Sequence, residues 1–245
     1  MQEINLEVVF LSKTISDVFH IEVLRVKLGF VEKLVVERSS RSEGLCLFWK
    51  DTVDVSLLSF GKFHIDAQVT SHQNKVWHLT GFYGNLNVAQ QGLSWTLLQR
   101  LHGLSTMLWL CGEDFNEILH DSGKSRGCLR PPNLINNFRS GLDFCDLKDS
   151  GYSGPDFTWC NKTEGQDLIQ ERLDRCVCNL NWNNLFPFPS VKHLSYWRSN
   201  HRPVMLEVLD SPMLNNSPSA KRNRRFHFET CSAEAKDCKA VIKDS

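Results

Sequence analysis

The chain has 245 residues, of which 41% are hydrophobic and 23% are charged. This composition excludes a mainly disordered protein and predicts one substantial hydrophobic core with modest extensions. The formal net charge at pH 7 is zero, so any binding of nucleic acid must depend on local basic clusters and not on a positive field around the whole protein.

Cysteine usage and hydropathy both favour an intracellular protein. The nine cysteines include no CxxC pair that could hold zinc, which indicates ordinary reduced thiols. The sequence begins without a secretory signal, and no run reaches the ~18 consecutive apolar residues that a membrane-spanning helix needs. We therefore expect no membrane partner, and no motif indicates a small organic cofactor.

The first half of the chain is predicted to be rich in strands. The apolar run from Val8 to Leu11 predicts a buried strand close to the start, and residues 44–83 show the pattern of several antiparallel strands. Leucines at helical spacing from Leu93 to Leu104 predict an amphipathic helix. The apolar run from Met107 to Cys111 predicts a buried strand directly after that helix.

The second half adds an amphipathic helix over residues 134–145 and short strands at 157–159, 173–177, 191–196 and 204–209. Strands outnumber helices, so the pattern favours an α/β fold, a four-layer α-β-β-α sandwich of two packed, mostly antiparallel sheets with outer helices. We assign residues 1–209 to this domain. Residues 211–225 are rich in Ser, Pro, Asn and Arg, so residues 210–245 are interpreted as a linker and the start of a truncated helical segment.

Polar residues follow the strand predicted at 107–111. Asp114 and Asn116 lie at its exit, and in extended geometry they share a face while Glu113 and Phe115 point the other way. A carboxylate beside an amide suits a phosphate or a hydrated metal ion, although the same pattern fits a polar turn. His201 precedes the strand at 204–209 and fits either a structural or a catalytic role. Asp174, between Arg172 and Arg175, also fits a solvated salt-bridged face.

The order of these segments resembles that of the endonuclease/exonuclease/phosphatase superfamily, whose motifs LxET, GxYG, GDFN, RLD and SDH follow one another along the chain. The matching segments here are Leu11–Thr14, Gly81–Gly84, Glu113–Asn116, Arg172–Asp174 and Ser199–His201. Within residues 6–209, further phrases resemble the endonuclease domain of plant LINE-type (non-LTR) retrotransposons: His64–Ala67, Trp109–Gly112, Phe157–Trp159 and Glu171–Arg175. Residues 225–229 resemble the linker that leads toward the reverse transcriptase in those elements.

The resemblance implies a Mg²⁺-dependent DNA endonuclease, that is, a hydrolase of phosphodiester bonds. It implies that His201 acts at the scissile phosphate with water as the nucleophile, and that Asp174 orients it. Asp114 and Asn116 are implied to bind metal-linked water and phosphate oxygens, with Asp114 as a metal ligand. Tyr83 is implied to contact the phosphate.

Two positions depart from the family pattern. Lys13 stands where the family has its metal-binding glutamate, and Asn200 stands where it has the aspartate of SDH. Magnesium prefers hard oxygen ligands, normally including carboxylates, so an ammonium group there opposes the ion. The resemblance also places the family's opening strand upstream of residue 1, which predicts an unpaired sheet edge near Val8 to Leu11. We therefore expect a degenerate active site with weak or no cleavage.

A basic cluster and two further functions remain open. Lys221, Arg222, Arg224 and Arg225 could contact nucleic acid or act as a nuclear import signal, and they also fit a solvated linker. The chain could be a nucleic-acid-binding relic that does not cleave. It could also be a phosphatase of the same superfamily acting on a small phosphoester.

Overall fold

The computed structural model describes residues 6–14, 18–36, 44–104, 108–196 and 199–208, and the backbone of residues 224–230. In this part of the chain no helix combines the length and the apolar character needed to cross a membrane. Its cysteines are unpaired thiols, and all of them except Cys128 are buried.

The regular elements, in chain order, are β1 (Val8–Thr14), α1 (Val18–Leu28), β2 (Glu32–Val36), β3 (Gly44–Trp49), β4 (Val53–Gly61), β5 (His64–Ser71), β6 (Val76–Tyr83), α2 (Gln91–Leu104), β7 (Trp109–Asp114), β8 (Lys124–Ser125), α3 (Pro132–Phe144), β9 (Lys148–Asp149), β10 (Trp159–Cys160), β11 (Gln170–Glu171), β12 (Asp174–Cys178), α4 (Leu180–Leu185), β13 (Ser190–His193), β14 (Val204–Val208) and β15 (Arg224–Thr230). Single 3₁₀ turns occur at Val88–Gln90, Asp121–Gly123 and Gly165–Asp167.

Two six-stranded sheets form the body of the fold. Sheet A has the order β13-β14-β15-β1-β3-β2, and sheet B has the order β4-β5-β6-β7-β12-β9. Neighbouring strands are antiparallel except β1 with β15 and β6 with β7. The parallel pair β6 and β7 is joined through α2, as a parallel connection requires a crossover. Three short strands form a separate third sheet with the order β10-β11-β8.

The central core lies between the two sheets. Phe10 and Leu47 of sheet A pack in one cluster with Ile65 and Trp77 of sheet B. The outer face of sheet A packs against α1, and the outer face of sheet B packs against α2 and α3. Because sheet A is covered on both faces, residues 8–11 of β1 and 45–48 of β3 are continuous apolar runs and do not alternate with polar residues. The predicted α-β-β-α sandwich is confirmed.

The C-terminal strand β15 differs from the sequence prediction. It lies between β1 and β14, parallel to the first and antiparallel to the second. The expectation of an unpaired edge near Val8 to Leu11 is therefore wrong, because β1 pairs with β3 on one side and with β15 on the other. Residues 224–230, which the sequence analysis placed in a linker outside the domain, form part of sheet A.

Candidate active site

Four strands and the segment that precedes β14 bring polar side chains to one end of the sandwich. In sheet B, Asp174 on β12 lies opposite Asp114 on β7, and Tyr83 on β6 lies on the other side of Asp114. Sheet A contributes Lys13 from the end of β1 and His201 from just before β14. The candidate site is therefore built across both sheets, which is why its members are far apart in sequence.

His201 and Asp174 form a buried pair. The ring atom Nδ1 of His201 lies 3.0 and 3.1 Å from the two carboxylate oxygens of Asp174. Burial acts to raise the pKa of the Asp174 carboxyl, but its electrostatic interaction and hydrogen bond with the His201 ring outweigh it and hold that pKa below its ordinary value. The backbone N–H groups of Leu173 and Asp174 donate to the hydroxyl of Thr158, which fixes the start of β12.

Lys13 lies at the centre of the site. Its ammonium nitrogen is 3.0 Å from Oδ2 of Asp114 and 2.8 Å from Nε2 of His201. Burial acts to lower the pKa of Lys13, yet the carboxylates of Asp114, Asp174 and Glu113 outweigh this and raise it. A charged ammonium can only donate, so Nε2 of His201 accepts and the ring proton is on Nδ1, facing Asp174. Lys13 reaches this position from a left-handed backbone, with φ of 54°.

Asn116 and Gly84 hold the Asp114 loop in place. The backbone N–H of Asn116 donates to Oδ1 of Asp114 at 2.9 Å, and the Asn116 side-chain amide donates to the carbonyl of Gly84 at 2.8 Å. The Gly84 N–H in turn donates to the carbonyl of Asp114 at 2.7 Å. A Cβ at Gly84 would stand 2.1 Å from the carbonyl oxygen of Phe115, so glycine is required for this approach. In this arrangement the Asn116 amide secures the loop.

Glu113 is a site residue that the sequence analysis assigned to the wrong side. Simple alternation predicted that it points away from Asp114, but its φ of 106° breaks the extended geometry. Its buried carboxylate accepts a hydrogen bond of 3.0 Å from the hydroxyl of Ser12, next to Lys13 on β1. The serine that directly follows the apolar run of β1 was the sequence signal that this position faces a polar group.

The remaining predicted residues lie at different distances from this centre. Tyr83 is buried, and its ring centroid lies 5.4 Å from the Lys13 ammonium, within range of a cation–π contact. Asn200 adjoins His201, and its backbone carbonyl accepts from the N–H of Cys160 at 2.9 Å. Lys221 and Arg222 lie outside the described residues, and Arg224 and Arg225 begin strand β15.

A divalent metal ion does not fit the site with Lys13 in place. One ligand atom each from Asp114, Asp174 and His201 lies within 4.8 Å of the others, which is the donor set such an ion would use. However, the Lys13 ammonium already bonds to Oδ2 of Asp114 and to Nε2 of His201. Both oxygens of Asp174 face Nδ1 of the histidine. An ion could bind here only by displacing the ammonium.

Comparisons with known proteins identify the fold. No protein-family profile matches the sequence, and no curated protein matches it. Among solved structures, the endonuclease domain of TRAS1, a telomere-specific non-LTR retrotransposon, is 11% identical, with a TM-score of 0.57 over 82% of this chain and 98% of that one.

Two further solved structures align less closely. Truncated Caenorhabditis elegans TDP2 is 12% identical, with a TM-score of 0.49 over 81% of this chain and 82% of that one. An endonuclease/exonuclease/phosphatase from Beutenbergia cavernae DSM 12333 is 11% identical, with a TM-score of 0.47 over 93% and 81%. At these identities the likeness concerns the fold alone, and this chain has the α/β sandwich fold of the TRAS1 endonuclease domain.

Proposed function

We propose that this chain is a DNA endonuclease domain of the LINE retrotransposon kind whose magnesium-dependent hydrolysis of phosphodiester bonds is strongly impaired. The observation that carries the proposal is the buried His201–Asp174 pair, which meets Asp114 at the junction of the two sheets. A histidine oriented by a carboxylate is suited to move a proton at a phosphate ester. DNA is the substrate class that the motif resemblance supports, and a nuclear location goes with that substrate.

Each proposed role follows from the chemistry of the side chain. Nδ1–H of His201 is held by Asp174, so Nε2 is the atom that would exchange a proton with water or with the leaving oxygen. Tyr83 and Asn116 border Asp114 and are the proposed contacts to phosphate oxygens. The basic residues Lys221, Arg222, Arg224 and Arg225 are proposed to contact the DNA backbone.

The impairment has two causes at one residue. The Lys13 ammonium lies against the carboxylate that would bind Mg²⁺, and it also donates to Nε2 of His201. A nitrogen whose lone pair is already engaged cannot accept a proton from water. The same substitution therefore weakens metal binding and proton transfer together. Asn200 removes a second acidic group of the family pattern and with it further attraction for a cation.

Plasmid nicking tests the proposal directly. We expect purified protein to convert supercoiled plasmid slowly at millimolar Mg²⁺, and we expect this residual nicking to disappear with EDTA and in a His201→Ala variant. Nicking that persists unchanged in His201→Ala would contradict the assignment of the site, because the proposed proton carrier would then be dispensable.

A second candidate function is binding of nucleic acid without hydrolysis. It is favoured by the closed set of contacts among Lys13, Asp114 and His201, which engages the reactive groups with one another. Binding of a labelled duplex with an affinity that falls as salt rises, and no cleavage under any metal condition, would support this function over the first.

A further inference from the structure

The C-terminal strand β15 separates the two strands of sheet A that carry the candidate site. Its register places Phe226 and Phe228 beside Val8 and Phe10 of β1, and also beside Leu206 and Val204 of β14. Its last residue, Thr230, lies beside Ser12, the neighbour of Lys13. The strand therefore ends at the same end of the sandwich as the site.

Lys13 and His201 meet across this strand. Lys13 belongs to β1 and His201 precedes β14, and no backbone pairing joins β1 to β14 directly, because β15 lies between them. Their side chains nevertheless approach to 2.8 Å. Neighbouring strands are spaced by ~4.8 Å, so β1 and β14 can keep their separation only while the strand between them is in place.

We propose that residues 224–230 are a clasp that assembles the candidate site, holding the Lys13 half of sheet A against the His201 half. Without β15, sheet A divides into β13-β14 and β1-β3-β2, and the facing edges of β1 and β14 expose unpaired backbone groups. Release of the strand then opens the contact between Lys13 and His201. This inference concerns the assembly of the site and does not depend on whether the protein cleaves DNA.

The segment that fills this position comes from the same chain. Val208 and Arg224 are cross-strand partners, so the end of β14 and the start of β15 lie side by side. A segment tethered at so short a distance has a high effective concentration, which favours its own chain over the same segment of a second copy. The full chain should accordingly be a monomer.

Proline scanning of the full chain tests the clasp. Phe228→Pro removes a backbone N–H from a strand that is paired on both sides, so we expect the thermal unfolding midpoint to fall by about 6–12 °C. The control is Ser219→Pro, in the connection between β14 and β15, and we expect it to leave the midpoint unchanged. Equal midpoints for the two variants would overturn the proposal.

A cleavable full chain provides the second measurement and does not require a destabilised variant. A protease site is introduced within residues 209–223, the folded protein is cut, and its two pieces are examined by size-exclusion chromatography. We expect the C-terminal piece to stay bound and the ¹⁵N shift of His201 Nε2 to remain that of a nitrogen that accepts a hydrogen bond from Lys13. Displacing that piece with denaturant and re-adding a peptide of residues 222–232 should abolish and then restore this signature.

Two outcomes of the cleavage experiment would refute the clasp. In one, the C-terminal piece separates while the unfolding midpoint and the His201 signature remain unchanged. In the other, the uncut chain elutes as a dimer that cleavage converts to monomers, which would assign the strand to a second copy.

Discussion

If the proposed function is correct, exchanging the cation at the centre of the site should produce metal-dependent cleavage. The change is Lys13→Glu combined with Asn200→Asp, which returns both acidic positions of the family pattern. The expected result is a Mg²⁺-dependent rise in plasmid nicking. It follows from the position of the Lys13 ammonium, which bonds to both Asp114 and His201, so that its removal frees a carboxylate and the histidine nitrogen at once.

The size of the effect follows from the contact distances. Two unit charges separated by the 3.0 Å between Lys13 Nζ and Asp114 Oδ2 attract by about 5.5 kcal/mol at an effective dielectric of ~20. An ion that enters must replace this attraction, which amounts to on the order of ten-thousandfold in affinity. Metal stabilisation of a transition state is worth several kcal/mol, and each ~1.4 kcal/mol is tenfold in rate, so we expect a gain of at least about a hundredfold.

The assay compares the full chain with the double variant in a magnesium titration, with EDTA as the reversal and His201→Ala added as the control. His201→Ala should abolish the gain, because a bound metal does not replace the proton transfer that is proposed for His201. Thermal unfolding supplies a readout independent of cleavage. At a Mg²⁺ concentration about a hundred times the dissociation constant, the double variant should gain about 2.7 kcal/mol, which corresponds to a midpoint rise of roughly 5–10 °C.

The reasoning is refuted if the unmodified chain nicks plasmid at the rate of the double variant. It is also refuted if the double variant shows neither a magnesium-dependent midpoint nor faster nicking while it remains folded. In the first case a ligand other than the two restored acids holds the metal. In the second case the ammonium of Lys13 is not what prevents metal binding.

Three further predictions concern stability. Lys13→Met should destabilise the chain by about 3–5 kcal/mol in urea denaturation, because the buried carboxylate of Asp114 loses its cation, and Asp114→Asn in the same chain should recover much of the loss. Gly84→Ala should cost about 1–3 kcal/mol or more, because its Cβ would stand 2.1 Å from a backbone oxygen, whereas the control Gly92→Ala meets nothing within 4 Å and should stabilise α2 by about 0.5–1 kcal/mol. Burial acts to raise the pKa of the Asp149 carboxyl, but neighbouring arginines hold that pKa below its ordinary value. The stability that Asp149 contributes is therefore present above pH ~4 and is lost as the pH falls through the folded pKa. We expect the stability of Asp149→Asn to fall less steeply than that of the unmodified chain as the pH is lowered into the acid range.

Local periodicity was sufficient to predict most of the sandwich. The leucines of α2 and the apolar face of α3 repeat at helical spacing, and Leu98 and Leu101 of α2 and Phe138 and Leu142 of α3 are buried against sheet B, whereas Leu93 and Leu104 are exposed. Helix α1 was not predicted, because its apolar residues do not form one stripe: Phe19 and Val26 are exposed, and Ile21 and Leu24 are buried. Which face of such a helix is buried depends on the sheet that it packs against, and the local sequence does not specify that contact.

Pairing between distant segments was beyond the reach of the sequence pattern. Strand β15 lies in a region whose composition favours a linker, and it is ordered by backbone bonds to β1 and β14. The ordered motifs did indicate which residues meet, namely Asp114, Asp174 and His201. They could not indicate that Glu113 turns toward Ser12, because that orientation depends on a left-handed φ that a carboxylate residue rarely adopts.

Lys13 is part of the fold as well as of the candidate site. Asp114, Asp174 and Glu113 are buried at one end of the sandwich, and buried carboxylates destabilise a fold unless a positive group or hydrogen bonds neutralise them. In a site that binds a metal, the ion supplies this charge, and stability then depends on metal. Here the Lys13 ammonium lies among all three, and their combined field raises its pKa, so the neutralising charge belongs to the chain itself. The full chain should therefore unfold at the same temperature in Mg²⁺ and in EDTA. A fold that carries its own neutralising charge and a His201 Nε2 that is already hydrogen-bonded are then two consequences of one ammonium, whose position is set by β1 and by the strand beside it.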